Sequence, residues 1–575
     1  MALTWSDVSA WRHEPFATAE GDLRTTRRDL LDLADELATM GLPRHWTGSA
    51  AQASGTRLTA VTDDLRDVVA ELSAAYTAVC DAADAVLGVV NAVDAAREYA
   101  RLARLVISAE GRVTTSELRP DRGDGTTVDL EALRVRQGEV DECATRISEA
   151  LRKAEDVDAD LFAVLRRIEL NRIDGGTGTL AQASALGAVA GELSVLEPPR
   201  GGTPTGNAAW WATMSPDERA LVIAEHPDWI GNRDGVDATS RDLANRSLLA
   251  ARRTHVDDRL AELAEGFIRP DGTLNDAYYW ANLDEYTDLL EEQGAISTLD
   301  EMLARPGEHQ LIGLDVTTPR TQAIVANGNV DTADHVAVFT PGLTSTVEGM
   351  GGYDSSMAQL RTRTEDELFR RGEVGTVATV TWLDYQAPQW GTTFAGDSVA
   401  LSGSAQDGGR DLAAYFTGIN ASRMTDPDLT GLAHSYGSTT LGYGLQHEGT
   451  GVDRAVFFGS PGLGTSDLGD LHLPEGAAFY AEATWDPVGD LGRFGSDPTG
   501  LEGMNHLQTG DASSGDGRDW AGVTGHSDYL QDGSTSQYSM AQVVGGHPED
   551  VVEGKNVGLL TDPLTAQDWW PDVLR

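Results

Sequence analysis

Basic residues are scarce in this chain and cysteine is nearly absent. Lys and Arg together number 43 against 91 Asp and Glu, a formal net charge of −48 over 575 residues. A surface so acidic repels phosphates, so nucleic acid is not expected as a partner, nor is electrostatic attachment to anionic membranes. The two cysteines, Cys80 and Cys143, form no C-x-x-C pair and no cluster with histidine. A structural zinc site is therefore not expected. Both fall in helical patterns and are expected as free thiols rather than as a disulfide. Proline is sparse, at 21 residues, and 40% of the chain is hydrophobic, the balance of a globular protein rather than a disordered one. No run of about 18 apolar residues occurs, so no membrane span is expected. The opening stretch MALTWSDVSAWRHEPF lacks a basic segment followed by an apolar one. A cytoplasmic protein, or one exported without a cleavable signal peptide, is the expectation.

What is present divides the chain. Residues 1–195 are rich in Ala, Leu, Asp, Glu and Arg, with apolar positions at helical spacing. Leu23, Leu30, Leu31, Leu33 and Leu37 mark a first helix, stopped at Gly41 and Pro43. A second pattern follows from about residue 58, a third helix is expected over 90–108, and a long one over about 128–168. The stretch LEPPRGGTPTGN, residues 196–207, reads as a linker. Ser215, Pro216 and Glu218 make a helix start in a helical lead-in over 208–305, where Trp210, Trp211 and Trp229 read as packing anchors. From residue 306 to the end, short apolar and β-branched runs alternate with helical ones. HQLIGLDV and TQAIVANGN suggest a hairpin. HVAVFTPG, GTVATVTWL, DLTGLAH, DRAVFFGSPG and AAFYAEATWDP suit buried parallel strands. The expected fold is α/β: a mostly parallel sheet with helices on both faces, preceded by an all-α N-terminal region.

Within that alternation, Ser435 follows a strand-like run and opens a helix-like one in AHSYGS. A sharp strand–turn–helix needs small residues two positions either side of the serine, or the two elements collide. Ala433 and Gly437 meet that need, with Ala433 one methyl larger than the usual glycine. A serine hydroxyl is a poor nucleophile unless a base takes its proton and a third group orients the base. Asp486, at the end of FYAEATWDP, is the candidate orienting group, with Asp490 and Asp497 as rivals. His526, in TGHSDYL ahead of a helix expected near Ser534, is the candidate base, with His506 and His547 as rivals. His434 is expected to point away from the serine, because strand neighbours face opposite sides. Oxyanion donors are expected from the N–H of Tyr436, after the serine, and of Leu343 or Thr344 in the loop after an earlier strand. No metal or other cofactor is called for. The segment WLDYQAPQWGTTF either walls a pocket for an apolar acyl group or is core.

Several motifs together carry a family resemblance. Pro341 to Ser345, Trp382 to Pro388, His434 to Ser438 and His526 to Tyr529 occur in the order seen in a little-characterised α/β-hydrolase family, and the segment HPDWIGNRDGVDATSRDLAN resembles its helical lead-in. The resemblance implies a hydrolase fold and a Ser-Asp-His triad, and no particular substrate. Separately, Trp46 and Gly48 stand between two long helical patterns within residues 1–120, which resembles the WXG-type helical hairpin of type VII secretion. The export motif of that family is absent: Cys80 lies four residues after Tyr76, and Ala103 four after Tyr99. Two functions are therefore expected. One is a serine esterase acting on a small-molecule, lipid-like or aryl or alkyl ester. The alternative is a secretion-associated interaction protein or effector whose hairpin docks a helical WXG-type partner, or a second copy of itself.

Overall fold

The computed structural model describes residues 3–39, 45–115, 130–389, 398–488, 494–496 and 498–554. The chain divides into a helical unit, residues 1–202 with 209–222, and a larger unit, residues 203–208 with 223–575. The stretch expected as a linker thus opens a helix at Pro204, and the Trp210–Trp211 pair falls with the helical unit.

In the helical unit, α1 (Trp5–Val8) and α2 (Glu14–Thr39) precede α3 (Ser49–Leu102), α4 (Leu130–Glu169) and α5 (Leu180–Gly191). α3 is one continuous helix where two were expected. Its interior glycine is a packing position rather than a break: a Cβ on Gly88 would sit 2.2 Å from the Thr213 carbonyl oxygen. Small residues also let α5 approach α3 closely, since a Cβ on Gly187 or Gly191 would lie 2.0 or 2.2 Å from the carbonyl oxygens of Ala70 and Ala74. α3 is long and apolar enough to cross a membrane by composition alone, but its stripe Ala70, Ala74, Ala78, Ala82, Val86 and Val89 is buried within this unit. Gly48 takes a positive φ of 107° just before α3, as a tight turn requires, whereas Trp46 is 43% exposed rather than capping the turn. Cys80 and Cys143 are both free. α6 (Pro204–Ala212) leads to α7 (Pro216–Glu225). There the expected helix start is a capping box: the Glu218 N–H donates to Ser215 Oγ at 3.1 Å, and the Ser215 N–H donates to Glu218 Oε2 at 2.9 Å. Glu218 also pairs with Lys153, whose side chain is 1% exposed.

The main sheet of the larger unit has eight strands among the described residues: β1 (His309–Asp315), β2 (Gln322–Asn327), β3 (His335–Thr340), β4 (Val377–Leu383), β5 (Asp428–His434), β6 (Arg454–Phe458), β7 (Ala478–Ala481) and β8 (Asn505–Leu507). Their order across the sheet is β1-β2-β4-β3-β5-β6-β7-β8. β2 runs antiparallel to β1 and β4, which is the expected hairpin, and the pairs from β4 to β8 are parallel. The strands read as continuous apolar runs because both faces are covered. Alternation still sorts the side chains. Val336, Val338, Leu429 and Phe457 join one core with Leu412 and Phe416 of α11 (Ser398–Ala421) and Leu441 of α12 (Tyr436–Leu445). Ala337, Phe339, Leu432 and Phe458 join the other with Leu360 of α10 (Met350–Arg371) and Met540 of α13 (Thr535–Val544).

The helical lead-in closes the sheet's β1 edge. Asn232 brackets Leu314, accepting from its N–H at 2.8 Å and donating to its carbonyl at 2.7 Å. From α8 (Ala238–Phe267), Asp242 accepts from the Leu311 N–H at 2.6 Å, Asn245 donates to the Leu311 carbonyl at 3.0 Å, and Arg246 donates to the His309 carbonyl at 2.7 Å. α9 (Asp276–Leu303) follows and adds Leu299 and Met302 to the first core. An edge strand left bare is a template for pairing with another chain, and these side chains occupy it.

Candidate active site

β5 ends at His434, and the chain turns at Ser435 with φ 55° and ψ −130°. A non-glycine residue held there costs on the order of 1–3 kcal/mol, which the surroundings must enforce. They do so through close backbone approach. Ala433 is fully buried between Thr340 of β3 and Phe457 of β6 in the strand register. A Cβ on Gly437 would lie 2.2 Å from the Thr340 carbonyl oxygen, and one on Gly342 would lie 2.8 Å from Ser435 Cβ. The small residues either side of the serine are thus imposed by the end of β3. The Ser435 N–H donates to the Phe458 carbonyl at 3.0 Å, and the Ser438 N–H donates to the Ser435 carbonyl at 3.0 Å. The Ser438 hydroxyl bonds that same carbonyl, which gives the final serine of HSYGS its structural role.

Asp486 and His526 meet beside this turn. Asp486 is fully buried, and both of its oxygens face His526 Nδ1, at 2.9 and 3.0 Å. Their loops are laced together: Thr484 bridges Thr524, and the Gly525 N–H donates to the Thr484 carbonyl at 2.9 Å. Gly459, just after β6, has φ 56° and leaves the space they need, since a Cβ there would lie 2.7 Å from Asp486 Oδ2 and 3.1 Å from His526 Nδ1. Burial alone would raise the Asp486 carboxyl, but hydrogen bonds from His526, Tyr529 and the Val488 N–H outweigh it and hold the group below its ordinary range. An ionised carboxylate only accepts, so the proton of the neutral imidazole sits on Nδ1, and Nε2 keeps its lone pair.

Five non-glycine residues among those described have positive φ, and three belong to these segments: Ser435, Thr344 at 64° and Trp485 at 68°. Strain of this kind collects at functional sites. In the loop after β3, the Thr344 N–H donates to the Pro388 carbonyl at 2.9 Å. It is therefore committed, and of the two donors expected from that loop Leu343 is the one whose N–H has no main-chain partner among the described residues. Tyr436, the residue after Ser435, opens α12. The Tyr385 hydroxyl donates to the Pro341 carbonyl at 2.7 Å. The segment Trp382 to Pro388 thus braces this loop through Tyr385 and Pro388 rather than serving as undifferentiated core. Residues 390–394 of the aromatic stretch lie outside the described residues.

The rival histidines sit elsewhere. His506 lies on β8 with its ring edge against Tyr480. His547 bridges Glu373 and Glu549, and Glu373 precedes β4, at the opposite end of the sheet from Ser435. Asp490 and Asp497 lie outside the described residues. Sequence reasoning missed Tyr529 and His434 as partners of the candidate residues. Tyr529 is 1% exposed, and its hydroxyl donates to Asp486 Oδ2 at 2.5 Å while accepting from the Ala483 N–H at 2.9 Å. His434 lies against the ring of His526. The H-S-x-Y spacing was the available signal for the tyrosine.

Tyr529→Phe removes one donor from Asp486. The carboxylate becomes more basic and favours the protonated form of its imidazole partner. The acid limb of kcat/KM for any reaction that uses this imidazole as a base should then move to higher pH, by up to about one unit. A pH–rate profile unchanged from wild type would refute the link.

Residues 318–496 match the model of an alpha/beta hydrolase family. Two uncharacterized proteins of Mycobacterium tuberculosis, MT2140 of strain CDC 1551 / Oshkosh and Rv2079 of strain ATCC 25618 / H37Rv, are each 28% identical over 408 residues. The alignment takes in 64% of this chain and 59% of each relative, so the chain spans about three fifths of the length of the curated relatives it matches. Among solved structures, an esterase of Pyrobaculum calidifontis in its monoclinic form aligns at 14% identity and a TM-score of 0.26, over 45% of this chain and 92% of that one. The strand order, the turn at Ser435 and the family match agree, and the larger unit is an α/β-hydrolase domain.

Proposed function

We propose that this domain hydrolyses carboxylic esters through Ser435, His526 and Asp486. The observation that carries the reading is the buried Asp486–His526 pair set beside the strained turn that holds Ser435. In this reading Ser435 Oγ attacks the ester carbonyl carbon while His526 Nε2 takes the hydroxyl proton. The oxygen of the tetrahedral intermediate is held by the N–H groups of Leu343 and Tyr436. Collapse breaks the bond to the alcohol, which leaves with the proton from His526 and an acyl-serine behind. Water, deprotonated by the same nitrogen, then releases the acid and restores the serine. Asp486 keeps Nδ1 protonated throughout and balances the transient imidazolium. The substrate class is a lipid-like or small aryl or alkyl ester.

A fluorophosphonate probe tests the reading. It should modify Ser435, located by peptide mass spectrometry, and labelling should vanish in Ser435→Ala together with p-nitrophenyl ester turnover. Folded wild-type protein that neither labels nor turns over any ester in a series of acyl lengths would end it.

A further inference from the structure

His434 precedes the serine, and strand alternation sends its side chain away from the serine hydroxyl. The structure shows what that direction meets. The His434 Nε2 lies 2.6 Å from the main-chain carbonyl oxygen of His526. A carbonyl only accepts, so Nε2 carries the proton and donates it. The two imidazole rings lie 4.6 Å apart, tilted by 40°. Behind them, His434 stacks on Phe458 at 5.4 Å, and the Tyr529 ring lies 6.0 Å from His434 and 5.5 Å from Phe458. Beyond the tie of Gly525 to Thr484, His526 itself is held by Asp486 at its ring and by His434 at its carbonyl, and His434 is bonded directly to the residue carrying the hydroxyl.

We propose that His434 is a positioning residue that fixes the backbone of His526 relative to Ser435. The proposal rests on the esterase reading and adds to it a residue with no chemical step of its own. Two anchors are needed because the Asp486 contact alone leaves the imidazole free to swing about that hydrogen bond, and a misplacement of about 1 Å is enough to cost about a hundredfold in rate. A histidine suits the place for a further reason. Burial, followed by the nearby charge of His526, lowers its pKa to about 4, so near neutral pH it stays uncharged and adds no repulsion to the imidazolium formed during turnover.

The test separates the hydrogen bond from the packing. His434→Phe keeps a ring between Phe458 and Tyr529 but has no donor. His434→Gln places an amide N–H at about the reach of Nε2. With p-nitrophenyl esters, His434→Phe should lower kcat by about 10–100-fold with KM within about twofold, and His434→Gln should recover most of the loss. Equal rates in the two variants, or a wild-type kcat in His434→Phe, would overturn the proposal. A second readout needs no turnover: the proton NMR resonance of His526 Nδ1–H, identified by its loss in His526→Ala. It should exchange faster with water in His434→Phe than in wild type or His434→Gln, and an unchanged exchange rate would overturn the proposal independently. Inert wild-type protein would instead strike the esterase reading, leaving the resonance to decide the role of His434.

Discussion

Asp486→Asn should lower kcat for ester hydrolysis by about four orders of magnitude with little change in KM. The carboxylate does two things that an amide cannot. It accepts from His526 Nδ1, which keeps the proton there and the lone pair on Nε2, and it carries the charge that opposes the imidazolium. The buried amide would still have to satisfy the Tyr529 hydroxyl and the Val488 N–H, both of which donate to this side chain. Those donors sit on different oxygens, so the single amide oxygen stays with the Val488 N–H, which cannot accept, and the NH2 takes the Oδ2 place, where it faces Nδ1 and the Tyr529 oxygen. The ring then takes the opposite tautomer, with Nε2 protonated and useless as a base. Steady-state kinetics on the purified variant, together with retained thermal stability, would check this. A loss below about tenfold would mean that another group orients His526, and the assignment of Asp486 would fall.

Lys153→Met should destabilise the helical unit by about 3–5 kcal/mol. The Lys153 side chain is 1% exposed and Glu218 is 13% exposed, so deleting the ammonium strands a carboxylate out of water. Glu218 also receives the Ser215 N–H at the start of α7, so it cannot simply turn to solvent without undoing that cap. The double variant Lys153→Met/Glu218→Gln removes both charges while keeping an oxygen for the cap. It should regain most of the loss, because an absent pair costs far less than a broken one. Urea unfolding followed by circular dichroism compares the three proteins. If the single variant matches wild type, or the double variant is no better than the single, the buried pair is not what holds this part of the unit.

Much of the α/β-hydrolase domain was legible from local chemistry. The strands announced themselves as continuous apolar runs because both faces of the sheet are covered, and Ser435 because Ala433 and Gly437 leave room for a sharp turn. Asp486 and His526 followed from chain order and from loops at strand ends. What stayed hidden depended on contacts distant in sequence. Two helices are expected where α3 runs unbroken, and within it Gly88 is the place where the Thr213 carbonyl presses on the helix. Alternation sent His434 in the right direction, yet no local rule could say that the His526 loop would cross that face. The loop after β3 is evident in the sequence, but that the Thr344 N–H goes to the Pro388 carbonyl depends on a segment more than forty residues away. The lead-in HPDWIGNRDGVDATSRDLAN was noticed as a pattern, and its purpose appears only when Asn232, Asp242, Asn245 and Arg246 are seen against the outer side of β1.

That purpose bears on where the hydrolase can be cut. A fragment begun at residue 306 would contain every strand of the main sheet and all three proposed catalytic side chains, and would still be incomplete. It would bare the amides of Leu311 and Leu314 and the carbonyls of His309, Leu311 and Leu314 along one flank. Such a flank recruits its own kind, and soluble oligomers or precipitate would be mistaken for a catalytic defect. The smallest piece that can stand alone begins upstream of Asn232, so the lead-in is hydrolase in substance although it contributes nothing to the chemistry.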